Sequence, residues 1–509
     1  MNAPLPRPAN HDGSFWIDEQ IWGHRLYDEQ TPWLTFLEFL NIFAFDKTLN
    51  SAPDMEYQPQ RQLRLRNVIF NNPHFPEVMR DPPLPDQAAW TRWIELMSNS
   101  ALQMDGGDVA TLRDQIPQFA DFERLVRYLR RTAIEGSSNK RWSSKFVFPF
   151  GSNALYEDLR VNTDKSPSND RRFFARSGEL LYMMLARSKR AASLEQALKE
   201  RFFDSPDPTN AVIGLLQGET TRAPEARALG YLPMPTLPEY DALAEDWCFL
   251  LDQPLPKFDA LPHLVTITGL HLLIYFLRRA SATVPDTPRP TFVCEIMAPR
   301  RTAVRDVALR SFETNQALPR MAVERLIRST VDLDGWVRAL ADPEPLQAAA
   351  RVLAGRFDWP EDDDLEKTPA KNPTELLEQL VTNALTRHKQ HVAKIHGTWA
   401  RNIGLSSRRG SLRVRYAPTD ALLKSLVFAN VGSRMEFKEF LARLHERYGL
   451  IIGEHQGTEY IESGVADLED FAENAVRLEE RLTSLGLMNR LSDGCAYVQL
   501  PFAGRKRHG

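Results

Sequence analysis

The chain has 509 residues, of which 43% are hydrophobic and 26% are charged, and its formal net charge is −4. This length is too great for one hydrophobic core, so several domains of a soluble globular protein are expected. The negative net charge excludes a protein that attracts nucleic acid through its overall field, and any contact with DNA must come from a local basic patch.

The cysteines and the apolar segments predict a cytoplasmic protein that does not span a membrane. Cys248, Cys294 and Cys495 are far apart and odd in number, which is typical of reduced thiols and excludes a four-cysteine zinc site. The first residues contain no apolar signal-peptide core. The most apolar run, 264–277, is shorter than the ~20 residues of a membrane span, so we predict a buried core helix.

The N-terminal part of the chain is predicted to be helical and rich in buried aromatic residues. Pro32 suits the first turn of a helix, and apolar residues follow it at helical spacing. A second helix carries Trp90 and Trp93. We predict that these rings form a core, the alternative being a surface on which bases stack.

An acidic, proline-containing stretch, "DWPEDDDLEKTPAKNP" at 358–373, has the composition of a linker. It separates a mainly helical region with a few short strands from a distinct C-terminal region. The predicted division is a flexible N-terminus at 1–14, an aromatic-rich helical domain at 15–135, a central domain at 136–357, the linker at 358–373, a basic helix and segment at 374–417, and a winged-helix domain at 418–509.

The segment that follows the linker is strongly basic. Residues 379–419 contain no acidic side chain, whereas the whole chain is acidic. Such a patch favours contact with DNA phosphates without reading of the base sequence. The residues predicted to make this contact are Lys389, Lys394, Arg401, Arg408, Arg409, Arg413 and Arg415.

Three histidines in this segment raise the alternative of a metal site. His388 and His391 are about one helical turn apart, and His396 follows. No cysteine or carboxylate lies near them in the sequence to complete a ligand set. We therefore predict histidines that face solvent or phosphate, and no metal or other cofactor.

The end of the chain predicts a winged helix, that is, three helices followed by a β-hairpin wing. A helix begins after Thr419, and the next helix repeats apolar residues on one face up to Tyr448, before Gly449. A third helix ends at Gly486. Asp493-Gly494 then predicts the turn of a hairpin. The fold class is therefore mostly α and multi-domain, with this C-terminal winged helix.

The third helix of this predicted winged helix is a poor candidate for the major groove, because acidic residues outnumber basic residues on its predicted exposed face. Two interpretations remain open. DNA is held by the basic segment and the tail at 505–509, or the third helix binds a partner protein; a purely structural role of this module is the remaining alternative. The residues predicted to bind that partner are Glu473, Arg477, Glu480 and Arg481.

Enzymatic motifs are not found in the sequence. It contains no P-loop and no GxGxxG, HExxH, GxSxG or kinase motif. Glu295, on a predicted strand in "TFVCEIM", resembles one acid of a metal-dependent nuclease, but Met297 stands where a lysine is expected. A divergent nuclease is the third and weakest interpretation.

Three stretches, "IWGHRLYDEQTPWLTFLEFLN", "RRFFARSGELLYMMLARS" and "RYAPTDALLKSLVFANV" with "ERYGLIIG", carry a resemblance to a known group. The chain resembles accessory proteins of bacterial antiphage defence islands, of the methylation-associated type. The resemblance implies a non-enzymatic subunit that works beside an ATPase, a helicase or a methyltransferase. The expected function is a DNA-associated scaffold or sensor; the alternative is a kleisin-like protein–protein adaptor whose winged helix binds an ATPase or other effector.

Overall fold

The computed structural model is mostly helical, as the sequence predicts. The structure describes residues 4–8, 16–24, 26–27, 30–50, 52, 55–61, 64–69, 72, 74–79, 84–100, 110–131, 152–155, 159–161, 167–169, 176–204, 207–217, 221–222, 225–297, 302–360, 370–409, 413–492 and 495–501.

Helices and a few short strands alternate along the described chain. The α-helices are α1 Asp18–Trp22, α2 Pro32–Asp46, α3 Arg64–Ile69, α4 Phe75–Val78, α5 Asp86–Ser100, α6 Ala110–Gln115, α7 Phe119–Arg131, α8 Ser177–Ala186, α9 Ala191–Leu198, α10 Pro208–Gln217, α11 Pro238–Asp252, α12 Lys257–Thr283, α13 Ala303–Arg328, α14 Asp334–Leu340, α15 Pro345–Phe357, α16 Pro373–His391, α17 Ile395–Asn402, α18 Asp420–Asn430, α19 Phe437–Tyr448, α20 Thr458–Glu462 and α21 Leu468–Ser484. The strands are β1 Glu56–Tyr57, β2 Gln60–Arg61, β3 Leu159–Val161, β4 Pro167–Asn169, β5 Thr221–Arg222, β6 Arg227–Ala228, β7 Phe292–Val293, β8 Ser406–Ser407, β9 Arg415–Tyr416, β10 Arg434–Glu436, β11 Leu450–Ile451, β12 Met488–Ser492 and β13 Cys495–Gln499.

The chain divides into two compact units whose boundaries differ from the predicted domains. The larger unit comprises Met1–Pro32, Arg187–Ala191 and Gly230–Gly509, and the smaller unit comprises Trp33–Ala186 and Ala192–Leu229. The larger unit therefore includes residues on both sides of the predicted linker. A linker composition does not prevent the helices before and after it from packing on one another, and α15 packs on α16 here.

The smaller unit has an aromatic core, as the sequence predicts. The rings of Trp90 and Trp93 are fully buried and lie 4.7 and 4.9 Å, respectively, from the ring of Phe122. Each indole N–H has an acceptor at 3.1 Å, the carbonyl of Pro117 for Trp90 and the side-chain oxygen of Asn72 for Trp93. Burial of both the rings and their polar atoms leaves no face of these two residues for base stacking.

A buried pair of glutamates joins α2 to the start of α8 in the smaller unit. Glu38 accepts backbone N–H groups from Arg176 at 2.9 Å and from Gly178 at 2.6 Å. Glu179 accepts the Tyr57 hydroxyl at 2.6 Å and the Arg176 Nε at 2.9 Å. Burial, together with the nearby charge of Glu179, raises the pKa of Glu38 from its ordinary value of 4.5 to about 8.

In the larger unit the apolar run at 264–277 lies in a buried helix, as predicted. Within α12, residues Asp259–Thr283 are long and apolar enough to cross a membrane, the one such helix among the described residues. Their most apolar window is 83% buried inside the protein. The helix is therefore packed inside the protein as a core helix.

A buried polar network fixes α19 on α11 and α12. Asp246 Oδ2 lies 2.7 Å from His271 Nε2 and accepts the Tyr448 hydroxyl at 2.6 Å. Arg447 forms an ion pair with the other carboxylate oxygen of Asp246. Asn430 donates to the Tyr448 hydroxyl at 2.8 Å. Because Asp246 is paired with Arg447 and accepts the Tyr448 hydroxyl, its burial costs less than burial of an unpaired charge.

The C-terminal region contains the predicted helices and paired strands. Gly449 ends α19 at φ +73°, and Gly486 follows α21 at φ +70°, the left-handed conformation that favours glycine. β12 and β13 form an antiparallel pair, and β10 adds a third strand in the order β10–β13–β12. The predicted turn at 493–494 lies outside the described residues.

The first residues differ from the predicted flexible N-terminus where they are described. Leu5 donates its N–H to the Pro233 carbonyl at 2.7 Å, and its carbonyl accepts the Tyr231 hydroxyl at 2.8 Å. These two backbone interactions hold residues 4–8 on the larger unit. The rest of segment 1–14 lies outside the described residues.

The raised pKa of Glu38 predicts that the smaller unit loses stability as the pH rises from about 4.5 to about 8. The folded protein keeps this proton up to about pH 8, whereas the unfolded chain releases it near 4.5. The contribution of Glu38 to stability is therefore fully present below about pH 4.5 and is lost as the pH rises to about 8, with a slope of up to about 1.4 kcal/mol per pH unit. Urea unfolding between pH 5 and 9 measures this slope. Glu38→Gln should flatten it and exposed Glu56→Gln should not; equal slopes in the two variants would contradict the assignment.

Candidate nucleic-acid interface

The basic segment contains a short hairpin whose connecting loop presents arginines. β8 and β9 are antiparallel, with Ser406 opposite Tyr416 and Ser407 opposite Arg415. Arg408, Arg409 and Arg413 lie between the two strands and are exposed. A loop this short keeps the three guanidinium groups at one end of the hairpin. This end is called the arginine hairpin below.

Arg415, the fourth arginine of this region, is not available to DNA. Its side chain is 1% exposed and forms a buried ion pair with Glu295, which is 0% exposed. The other carboxylate oxygen of Glu295 accepts Arg305 Nε at 2.7 Å. The prediction that Arg415 contacts phosphate is therefore corrected, because a guanidinium inside the protein cannot reach the backbone of a duplex.

The buried Arg415 instead positions the arginine hairpin. Its Nη2 donates to the backbone carbonyl of Arg409 at 3.0 Å, so one end of the loop is attached to the ion pair. The Glu295 backbone N–H donates to the Tyr416 carbonyl at 3.0 Å, which joins β9 to the segment that follows β7. Side chain and backbone of Glu295 thus both hold the hairpin.

Tyr416 anchors the same hairpin from its other face. Its hydroxyl lies 2.6 Å from His396 Nε2 and accepts the Asn315 amide at 2.9 Å. Phe312 packs against the Tyr416 ring at 5.2 Å. The base of the hairpin is therefore rigid, whereas its arginines are exposed.

The remaining predicted phosphate contacts are exposed but lie on other elements. Arg401 lies in the last turn of α17, next to β8. Lys389 lies near the end of α16, and Lys394 precedes α17. Since α17 has eight residues, the lysine end and the hairpin end of this helix are roughly 12 Å apart. The structure thus groups Arg401 with the arginine hairpin and separates the two lysines from it.

Two of the histidines are buried, which differs from the prediction of solvated or phosphate-facing rings. Burial lowers the pKa of His388 to about 4 and that of His396 to about 3. Both rings are therefore neutral at physiological pH and add no charge to the basic segment. His391 packs against the ring of Tyr27. No group of three His, Cys, Asp or Glu side chains able to hold a metal ion occurs in the described part of the chain.

The predicted partner-binding residues lie along α21, and their charges are arranged unevenly. Arg477 donates to Glu473 at 2.6 Å within the helix, and Arg481 donates to Asp420 of α18 at 2.5 Å. Glu473 and Glu480 are exposed. The arginines are therefore already neutralised, and the exposed face of α21 is net acidic.

The opposite face of α21 is anchored by a residue that the sequence analysis missed. Asn474 is 0% exposed and accepts the N–H of Ile296 at 2.7 Å. Its amide donates to the carbonyls of Cys294 and Ile452, each at 2.9 Å. A polar residue among the apolar positions of an amphipathic helix is the signal that could have indicated this role.

The arrangement at Glu295 does not resemble a magnesium site. Both oxygens of its carboxylate are occupied by guanidinium groups, and neither is exposed. A cation would have to displace an arginine from a carboxylate that the arginines already neutralise. Glu295 therefore acts as the anchor of the arginine hairpin.

Comparison with known proteins bears on the resemblance noted in the sequence. Residues 362–499 match the family model described as methylation-associated defense system protein MAD7. Over these residues the chain is similar to a family of defence-system proteins. No curated protein and no solved structure matches it.

The matched segment contains the arginine hairpin and α21. It does not contain Glu295 or Arg305, which complete the buried ion pairs from outside the matched residues. The region shared with the family therefore depends on the preceding part of this chain for its fixed geometry.

Arg415→Met should destabilise the larger unit, because it removes one of the two guanidinium groups that neutralise the buried Glu295. Loss of one partner from a buried ion pair costs about 3 kcal/mol. The free energy of unfolding in urea measures the change. Arg408→Met, on the exposed loop of the same hairpin, is the matched control and should change it by less than about 0.5 kcal/mol. Equal effects of the two substitutions would contradict the buried anchor.

Proposed function

We propose that this protein is a non-catalytic, DNA-associated scaffold or sensor subunit of an antiphage defence complex in the bacterial cytoplasm. It contacts the phosphate backbone of DNA through Arg401, Arg408, Arg409 and Arg413, without reading the base sequence. The observation that carries this proposal is the arginine hairpin, which presents exposed guanidinium groups on a base held by buried ion pairs.

The fixed base of the arginine hairpin favours DNA binding, because ordering a flexible loop on the DNA would cost conformational entropy. The backbone of Arg409 is held by Arg415, which is itself paired with Glu295. Less conformational entropy is then lost on binding DNA. The absence of acidic residues between 379 and 419 also keeps the local potential positive, although the chain as a whole is acidic.

We further propose that residues 418–509 form a winged helix that does not use its third helix in the major groove. The order is α18, β10, α19, β11, α20, α21, β12, β13, and it contains three helices followed by a hairpin whose strands form a three-stranded antiparallel sheet with β10, as in that fold. α21 occupies the place of a recognition helix. Its acidic face would repel phosphates, so the DNA contact belongs to the arginine hairpin that precedes the winged helix.

Charge reversal of the arginine hairpin should abolish DNA binding. Binding of the purified protein to a fluorescent duplex and to a single strand is measured by anisotropy across a salt series. Arg408→Glu, Arg409→Glu and Arg413→Glu together should weaken binding at least about 100-fold at low salt. The slope of log affinity against log salt should become less negative by about 3, because about three phosphate contacts are lost.

The matched control reverses three exposed arginines elsewhere on the larger unit, Arg190, Arg310 and Arg351, so that the net charge changes equally. This variant should retain most of the affinity and most of the salt slope. Equal losses in the two triple variants would show that only net charge matters and would overturn the proposed interface, as would no binding by the unmodified protein.

The second candidate function is a kleisin-like adaptor, and α21 favours it. Glu480 is exposed and has no ion-pair partner among the described residues, while Arg477 and Arg481 are neutralised by Glu473 and Asp420. Val476 is 51% exposed on the same helix. An acidic surface with an apolar centre suits a basic partner, such as an ATPase of the same defence system.

Reversal of the acids on α21 separates the two functions. Glu473→Lys with Glu480→Lys should abolish binding to the ATPase, helicase or methyltransferase of the same system, tested by size-exclusion chromatography of each purified pair. The arginine hairpin variant should keep that complex. Retention of the complex by the α21 variant, or its loss in the hairpin variant alone, would contradict an adaptor that binds through α21.

A further inference from the structure

An exposed apolar stripe on α14 is not explained by the proposed contact with DNA. Leu333 is the N-cap of this helix. Val337 and Leu340 lie within the helix, four and seven residues after Leu333. Their side chains are 41%, 57% and 50% exposed. Residues at spacings i, i+4 and i+7 lie on one face of a helix, so the three form a continuous stripe.

The packing of α14 inside the protein does not need this stripe. Trp336 and Ala339 lie on the other side of the helix, are 3% and 4% exposed, and hold it against the rest of the unit. The stripe therefore adds apolar surface in water without a compensating internal contact. Val331, on the 3-10 turn just before α14, is 45% exposed and lengthens the same apolar region along the chain.

Acidic side chains flank the stripe at both ends. Asp332 is exposed before it, Asp334 is exposed next to Leu333, and Asp342 and Glu344 are exposed after it, while Arg338, next to Val337, is the one basic residue on α14. The basic residues of this segment are fewer, and Arg325 lies 3.9 Å from Asp332 in a surface ion pair. Two copies of the chain that met through this stripe would bring the acids together, so self-association here is disfavoured.

We propose that α14 is a docking helix that inserts Leu333, Val337 and Leu340 into an apolar groove of another protein, whose edges carry lysine and arginine. Helices that enter such grooves use apolar anchors at i, i+4 and i+7. The acids at both ends of the stripe then meet the basic edges and set the direction of the helix in the groove. α14 lies outside the segment shared with the defence family, and this docking does not depend on DNA binding.

Photo-crosslinking tests the proposal with the full-length chain. Val337 is replaced by benzoylphenylalanine, the chain is produced together with the other proteins of its defence system, and the crosslinked peptides are identified by mass spectrometry. Gln347, exposed on α15, carries the same probe in the control. One protein other than this chain should crosslink at 337 and not at 347, through apolar residues flanked by lysine or arginine.

The affinity of that purified protein for the purified chain is then measured. Val337→Asp and, separately, Leu340→Asp should each weaken it about 30-fold or more, as loss of a central anchor does. Val337→Ile should retain it, as should Tyr128→Asp, which alters an exposed aromatic residue on α7 of the smaller unit. DNA binding by all four variants should equal that of the unmodified chain, so failure of this proposal and failure of the proposed DNA contact are distinguishable.

Three results would overturn the docking helix. The first is equal crosslinking at 337 and 347. The second is a crosslink to another copy of this chain or to an acidic peptide. The third is an unchanged affinity in both aspartate variants.

Discussion

The geometry of the candidate interface depends on the carboxylate of Glu295. Buried carboxylates are tolerated when cations neutralise them, and here Arg305 and Arg415 do so from two different parts of the chain. Arg415 uses a further N–H to hold the carbonyl of Arg409. One desolvated charge thus joins the strand region before α13, the start of α13 itself and the loop that presents the arginines.

The burial of Arg415 also restricts the positions that the loop of the arginine hairpin can adopt. A guanidinium removed from water is stable only where acceptors face its N–H groups. The loop can therefore adopt few other positions without removing the carbonyl of Arg409 from Arg415. The exposed arginines of the same hairpin have no such requirement and can adapt to a phosphate backbone. Residues of one type, within eight positions of one another, therefore have opposite roles.

The C-terminal region is attached to the rest of the larger unit by similar polar contacts. Asp246 holds Tyr448 and Arg447 of α19, and Asn474 of α21 holds three backbone groups around β7 and β11. β7 and β11 pair in parallel, which adds a backbone connection between distant segments. A region that reads in sequence as an independent winged helix is therefore part of a larger compact unit. The acidic helix α21 is held through Asn474 on its inner face, so its outer face is available to a partner.

Local patterns were enough to predict the helices and their ends. The apolar period of α19 and the caps at Thr419 and Gly449 follow from interactions within a few residues, and the structure contains them. The burial of Trp90 was predicted from its aromatic character, although its ring partner Phe122 lies more than thirty positions along the chain. The basic character of 379–419 is likewise a property of composition. The third strand β10 escaped prediction because its pairing with β13 joins residues more than sixty positions apart.

What the amino-acid order could not decide is which charged side chains are buried. Arg413 and Arg415 look equivalent in the sequence, yet Arg413 is exposed whereas Arg415 is buried against Glu295, which lies 120 residues earlier in the chain. His388 and His396 look solvated, yet packing buries them and removes their charge. Charge and helical period are local quantities, whereas desolvation depends on which distant segments pack together, and only the tertiary structure determines that.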